Sequence, residues 1–169
     1  KDIENLVNEF SNFARMPLPV LKKLDIYAVI NRAINFYKMS SKNLIIINKS
    51  NKLLFIKGDE EQLYRAFINL IKNSEDSILE KKQENDQFAG KIEVAIKEDS
   101  DYIEIKLLDN GVGLHDAKQI MKPYFTTKKN GTGLGLPIVS KIINEHSGDF
   151  SISNCKDGVE VLISIPKFI

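Results

Sequence analysis

The sequence predicts an α+β domain, a mixed sheet of about five strands covered on one face by helices. Segments 91–97 and 102–108 alternate: Ile92, Val94 and Ile96, then Ile103, Ile105 and Leu107, fall on one face, as in neighbouring antiparallel strands with one side covered. Leu63, Ala66, Phe67, Leu70, Ile71 and Ser74 recur at steps of three and four, the period of an amphipathic helix. Strands and helices follow one another without strict βαβ alternation, which points away from a parallel doubly wound sheet.

The elements follow in order. Ile3, Leu6, Val7, Phe10, Phe13 and Ala14 form one apolar stripe against Asp2, Glu4, Asn8, Glu9 and Asn12, and Pro17 and Pro19 stop that helix. A stripe on four turns needs a partner helix, so 1–16 is expected to belong to another unit, with 17–24 as linker and the main domain at 25–169. Segment 27–37 predicts a helix through Ala28, Ile30, Ala33, Ile34 and Tyr37. The β-branched runs 44–48 and 53–57 predict strands. Asp59 is the expected N-cap of a helix lasting to about residue 79, with a polar loop over 81–90. Segment 133–145 predicts a helix ended by Gly148, and 150–153 and 159–165 the last strands.

Composition narrows the function classes. A chain of 169 residues with 43% hydrophobic and 28% charged residues suits one soluble globular domain. Lys+Arg 24 against Asp+Glu 23 gives a net charge of +1, so no nucleic-acid partner is expected. One Cys excludes an intramolecular disulfide and fits a reducing compartment, and two His with one Cys make a poor zinc set. No apolar run nears the roughly 20 residues that span a bilayer, and no signal peptide is visible. A start at Lys1 inside a helical pattern reads as a piece of something longer.

The chemistry concentrates in three places. The irregular stretch 109–132 is bracketed by two glycine clusters, Asp109-Asn110-Gly111-Val112-Gly113 and Gly131-Thr132-Gly133-Leu134-Gly135-Leu136. A stretch of that length inside a domain is usually functional. The second cluster opens a helix, where backbone N–H groups and partial positive charge suit phosphate. Leu136 breaks a dinucleotide G-x-G-x-x-G, and no G-K-[ST] follows for a P-loop. Taken alone, the cluster fits a hinge and helix start equally well. Asn69 and Asn73 share a helix face at i, i+4, where their amide oxygens suit Mg²⁺ that bridges to phosphate, or simply face water. Asp109 ends a strand, where a carboxylate accepts from the exocyclic amine of adenine and repels the guanine carbonyl, or closes an Asx-turn.

Their order is distinctive: Asn69-Leu70-Ile71-Lys72-Asn73, then Asp109 to Gly113, then Phe125-Thr126-Thr127-Lys128 after Pro123-Tyr124, then Gly131 to Leu136. From about residue 25 to 166 the sequence resembles the catalytic ATP-binding domain of sensor histidine kinases, in the superfamily shared with gyrase, Hsp90 and MutL. The four motifs look like its N, G1, F and G2 boxes. Residues 8–17 resemble the end of the second dimerisation helix of NtrY- and NtrB-type nitrogen-regulation kinases.

The resemblance implies a two-layer α/β sandwich, the Bergerat ATP-binding fold. It implies ATP and Mg²⁺ as ligands, with Asp109 on adenine, Asn73 on Mg²⁺ assisted by Asn69, and the G2 amides and Thr132 on the phosphates. Residues 114–132 become the ATP lid, with Lys128 and Lys129 facing the γ-phosphate. The implied reaction is transfer of the γ-phosphate to a His on the dimerisation domain of a homodimer, then to an Asp of a response-regulator receiver domain. Neither His146 nor His115-Asp116 has the phosphoacceptor setting, so that His is expected outside this chain. His146 is expected near a helix C-terminus, where a cation is favoured and a structural role fits. The implied setting is a cytoplasmic domain of a bacterial protein anchored in the membrane only through upstream segments.

Two positions bear on activity. The hydrolysing relatives carry a water-activating Glu where this chain has Asn69, which implies transfer to protein over hydrolysis. Many kinases carry a phosphate-contacting Lys where this chain has Asp76, leaving Lys72 or a lid lysine for that role. A nucleotide-binding module without kinase activity, or a serine kinase or anti-sigma-type regulator on the same fold, stands as the alternative.

Overall fold

The computed structural model describes residues 11, 15–40, 44–48 (backbone only), 53–114, 120–123, 125–126 and 132–168. In order these form β1 (Lys22–Asp25), α1 (Ile26–Ser40), β2 (Leu44–Asn48), β3 (Phe55–Gly58), α2 (Glu60–Glu84), β4 (Gly90–Glu98), β5 (Tyr102–Asp109), α3 (Gly135–Glu145), β6 (Asp149–Asn154) and β7 (Val159–Pro166). The helix expected over 1–16 lies almost wholly outside the described residues. Of that segment the described residues show the Arg15 N–H donating to the Ser11 carbonyl at 2.9 Å.

The expected mixed sheet has the strand order β2-β4-β5-β7-β6. β2 runs parallel to β4, and the other neighbouring pairs are antiparallel. The register aligns Val94 with Leu107, Ile105 with Ile163, and Ile103 with Ile165, so the inward positions of β4, β5 and β7 form one apolar surface. The helices cover it with Ile30, Ala33 and Ile34 of α1, Leu63, Phe67, Leu70 and Ile71 of α2, and Val139, Ile142 and Ile143 of α3, all in one core. Each large side chain removed from water contributes about 1.5–3 kcal/mol, which is what holds the three helices to the sheet. The opposite face carries charge, including the Lys91–Glu93 and Lys106–Glu160 pairs. The fold is a two-layer α/β sandwich.

Helix starts follow local chemistry. Asp59 caps α2, its Oδ1 accepting from the Gln62 N–H at 3.1 Å. Glu60 and Glu61 sit in the first turn, where the helix dipole favours acids, and both pair with Arg32 of α1. Asp25 does the same for α1, accepting from Tyr27 N–H at 3.1 Å, and also takes the Leu54 N–H at 3.1 Å.

Three elements differ from expectation. β1 pairs antiparallel with β3 and takes in Lys22, Lys23 and Leu24, on the linker side of the boundary expected at 24/25. Its single apolar residue gives no strand pattern; backbone pairing and Lys23 stacking over Phe55 at 4.5 Å hold it. α2 runs to Glu84, through residues expected as loop, because Glu80, Lys81, Lys82, Gln83 and Glu84 all favour helix and Lys81 is anchored. At the end of α3 the left-handed residue is Ser147 (φ 57°), and the Gly148 N–H returns to the Ile143 carbonyl at 2.9 Å. Gly148 is needed for space, since a Cβ there would lie 2.6 Å from the Ser164 carbonyl oxygen.

His146 is structural, as expected, but not as a cation. It is buried, its Nε2 accepts from the Asp59 N–H at 2.9 Å, and its Nδ1 lies 2.7 Å from the Ile142 carbonyl. An accepting Nε2 leaves the proton on Nδ1, so the ring is the neutral Nδ1–H tautomer. It joins the C-terminus of α3 to the N-terminus of α2. His146→Ala leaves the Asp59 N–H without its partner and opens a cavity. We expect unfolding free energy to fall by about 2–4 kcal/mol in a urea titration; a loss below about 0.5 kcal/mol contradicts this role.

Candidate functional site

Asp109 is the last residue of β5 and only 6% exposed. Its Oδ2 accepts from the Ser74 hydroxyl at 2.9 Å, and its Oδ1 from the N–H groups of Gly111 at 3.0 Å and Val159 at 3.3 Å. The Gly111 bond is an Asx-turn, so that reading of Asp109 holds, but α2 and β7 also supply donors. Burial pushes the carboxyl above the ordinary carboxylate range; the bonds from Gly111, Ser74 and Val159 and the charge of Lys81 oppose that rise. An ionised carboxylate has about four acceptor sites, and three donors among the described residues reach this one, which leaves capacity for a further N–H donor within that set.

Two glycines permit this convergence. A Cβ on Gly111 would lie 2.2 Å from Ser77 Oγ, so only glycine lets this loop lie against α2. A Cβ on Gly158, in the β6–β7 turn, would lie 2.3 Å from the Asp109 carbonyl oxygen and 2.7 Å from its Oδ1. Next along the loop, the Val112 N–H donates to Ser77 Oγ at 3.1 Å. Gly113 (φ 85°) sits against Asn154, whose side-chain amide accepts from the Leu114 N–H at 2.6 Å and donates to its carbonyl at 3.0 Å.

The second half of the site lies where α2 meets the start of α3. A Cβ on Gly135 would stand 3.6 Å from Asn69 Oδ1 and 3.7 Å from Asn73 Nδ2, so both amides face the first residue of α3. Asn69 Nδ2 donates back to the Arg65 carbonyl at 3.0 Å, which fixes the side chain's direction. Leu134 occupies the N-cap of α3 and is fully buried, and among the described residues no side chain is seen to cap the helix. Leu134 itself offers no side-chain cap, and first-turn N–H groups of a helix, Gly135 and Leu136 here, carry the positive end of its dipole, the kind of place that suits an anion. Thr132 and Gly133 (φ 68°) lead into it half-buried.

The remaining candidates divide. Phe125 is half-buried and Thr126 exposed, in irregular chain that turns back through the Phe125 N–H to the Lys122 carbonyl at 3.2 Å. Tyr124, Thr127, Lys128, Lys129, Gly131, His115 and Asp116 lie outside the described residues. The structure thus brings Asn69, Asn73 and Gly135 together, and surrounds Asp109 with Gly111, Ser74 and Val159. Ser74, Ser77, Lys81, Asn154 and Gly158 were missed as site residues. Ser74 carried a signal, a hydroxyl on the apolar stripe of α2. Gly158, in the turn between the last two strands, carried a weaker one.

Residues 58–168 match the family described as histidine kinase-, DNA gyrase B-, and HSP90-like ATPase. The chain is 31% identical over 159 residues to the nitrogen regulation protein NtrY of Azorhizobium caulinodans, covering 93% of this chain and 20% of that protein. It is 35% identical over 159 residues to a putative sensor histidine kinase NtrY-like of Rickettsia prowazekii, covering 92% of this chain and 26% of that one. Among solved structures, the nucleotide-free catalytic domain of histidine kinase ThkA superposes with a TM-score of 0.74 at 25% identity, covering 87% of this chain and 95% of that one. The chain thus spans about a quarter or less of the two relatives' lengths. The asparagine pair, the buried carboxylate and the glycine-led helix all lie within the matched residues 58–168, and the chain belongs to the histidine kinase-, DNA gyrase B-, and HSP90-like ATPase family.

Proposed function

We propose that this chain is the ATP-binding catalytic domain of a two-component sensor histidine kinase, transferring the γ-phosphoryl group of ATP to a His on a dimerisation domain joined through residues 1–24. The observation that carries the reading is the meeting of Asn69 and Asn73 with the start of α3. Asp109 accepts the exocyclic amine of adenine, which selects against guanine because a carbonyl in that place meets a carboxylate with no donor to offer. The N–H groups of Gly135 and Leu136, with Thr132, take phosphate oxygens. Asn73, assisted by Asn69, supplies amide oxygens for Mg²⁺. When bound, that ion offsets phosphate charge.

The protein's share of such a transfer is positioning and charge neutralisation. Asn69 has no basic group to activate water, which supports transfer to protein over hydrolysis. Residues 1–16 form the end of the dimerisation helix in this reading, and 17–24 connect it to the catalytic unit. The further partner is a response-regulator receiver domain. None of the described helices is long and apolar enough to cross a membrane; anchoring belongs to other parts of the full protein.

Incubation with labelled ATP, Mg²⁺ and a polypeptide carrying the partner His is expected to yield phosphohistidine. Tight ATP binding without it would leave a nucleotide-binding module. Asn73→Ala should weaken Mg-ATP at least about tenfold while changing Mg²⁺-free ATP binding much less; equal losses with and without Mg²⁺ contradict the metal role.

Asp109 also predicts a pH dependence. Its folded-state value lies above the ordinary 3.8, so acid favours the empty fold at this group, and that contribution is lost as pH rises through the folded value. Nucleotide binding needs the ionised carboxylate, so ATP affinity should fall as pH drops through the same value. Calorimetry across this range on the native chain and Asp109→Asn is expected to show the acid loss only in the native chain. The same loss in both assigns it elsewhere.

A further inference from the structure

Lys81 was expected in a loop and instead stands in the last turn of α2, where its ammonium donates to three backbone carbonyls at once. These are Asn110 at 2.8 Å, Gly111 at 3.0 Å and Asp157 at 3.1 Å. An ammonium has three protons, so this set can use them all. Nζ also lies 4.8 Å from the centre of the Phe88 ring, which covers it from one side. Ser74, Ser77 and Lys81 form one stripe of α2, and each reaches the same segment: Ser74 holds Asp109, Ser77 holds Val112, and Lys81 holds Asn110 and Gly111.

The peptide unit between residues 110 and 111 is gripped at both ends. Its carbonyl, on Asn110, receives Lys81; its N–H, on Gly111, donates to Asp109 Oδ1. The third carbonyl, Asp157, belongs to the turn that delivers the Val159 N–H to that same oxygen. Lys81 therefore touches both segments that aim Asp109, without touching Asp109 itself. A charged donor on a carbonyl also polarises the amide and strengthens the bond at its N–H end.

We propose that Lys81 is the positioning residue for nucleobase selection: by holding the Asn110–Gly111 peptide and the Asp157 turn, it fixes the direction of the Asp109 carboxylate and with it the preference for adenine over guanine. This rests on the reading that Asp109 receives the adenine amine. Without Lys81 the three carbonyls turn to water, the carboxylate loses its fixed aim, and the penalty against guanine shrinks. The phosphate end, built on α3 and the Asn pair, is left as it was.

The test measures ATP and GTP affinities of the whole chain by calorimetry, with folding checked by circular dichroism. Lys81→Met should weaken ATP about tenfold and GTP less than about twofold, so that the ATP-to-GTP ratio collapses. Lys81→Arg, which keeps charge and donors, should recover the ratio to within about threefold of the native chain. In an Asp109→Ala background, Lys81→Met should add almost nothing. Should Lys81→Met fail to fold, Lys81→Gln replaces it with the same expected direction. An unchanged ratio in the Met or Gln variant, or its full effect persisting without Asp109, overturns the proposal. If Asp109→Ala alone leaves ATP affinity unchanged, the base-pocket reading itself fails. If Asp109→Ala weakens ATP while the Lys81 variants match the native chain, only the role of Lys81 falls.

Discussion

Burying a carboxylate costs several kcal/mol unless donors reach it, and Asp109 is buried at the end of β5. The three donors come from three places: a hydroxyl on α2, an N–H in the loop that follows the strand, and an N–H at the start of β7. Hydrogen bonds to a charged group contribute about 1.5–3 kcal/mol each, so together they are of the size of the burial penalty. That balance explains the raised but not abolished acidity of the group. It also dictates how closely the elements must approach, and hence why Gly111 and Gly158 stand where they do.

The second organising feature is the pair of helices that share the other half of the site. At the far end, His146 of the α3 terminus accepts the N–H of Asp59, the cap of α2. At the near end, the start of α3 faces Asn69 and Asn73. Pinning the two helices at one end holds their relation at the other, which is how a rigid scaffold presents polar groups with useful precision. The segment entering the domain ties into the same node: Asp59 Oδ2 accepts from the Val20 N–H at 2.9 Å, and Gln62 Nε2 donates to the Pro17 carbonyl at 2.8 Å. Contacts thus run from the chain's entry to the start of α2 and on to the end of α3.

Much of this was legible in sequence because it rests on periodicity and on glycine. Alternation in β4, β5 and β7 and the stripe of α2 follow directly from burial on one face, and they gave the sheet and its helical cover. The Asn pair stood out because Asn is mildly costly in a helix interior, and the two glycine clusters because they bracket a long irregular stretch; each alone had a plain structural reading, and their order carried the resemblance. What stayed hidden depends on pairing across the chain. β1 has one apolar residue and exists through its partner strand. Lys81 reads as an ordinary surface lysine at the end of a helix, and only the fold brings three carbonyls to it. Asn154 is likewise a polar residue at a strand end until Leu114 meets it from 40 residues away. The neutral state of His146 follows from the Asp59 N–H, 87 residues distant, and could not be read from the helix end alone.

The central claim is that one nucleotide spans the two halves of the site, with its base at Asp109 and its phosphates at the start of α3. A crystal structure of this chain with Mg²⁺ and a non-hydrolysable ATP analogue tests it most directly. The account predicts the adenine amine within about 3 Å of an Asp109 carboxylate oxygen, phosphate oxygens on the Gly135 and Leu136 N–H groups, and the metal on Asn73. A nucleotide bound elsewhere, or one whose base turns away from Asp109, would contradict it.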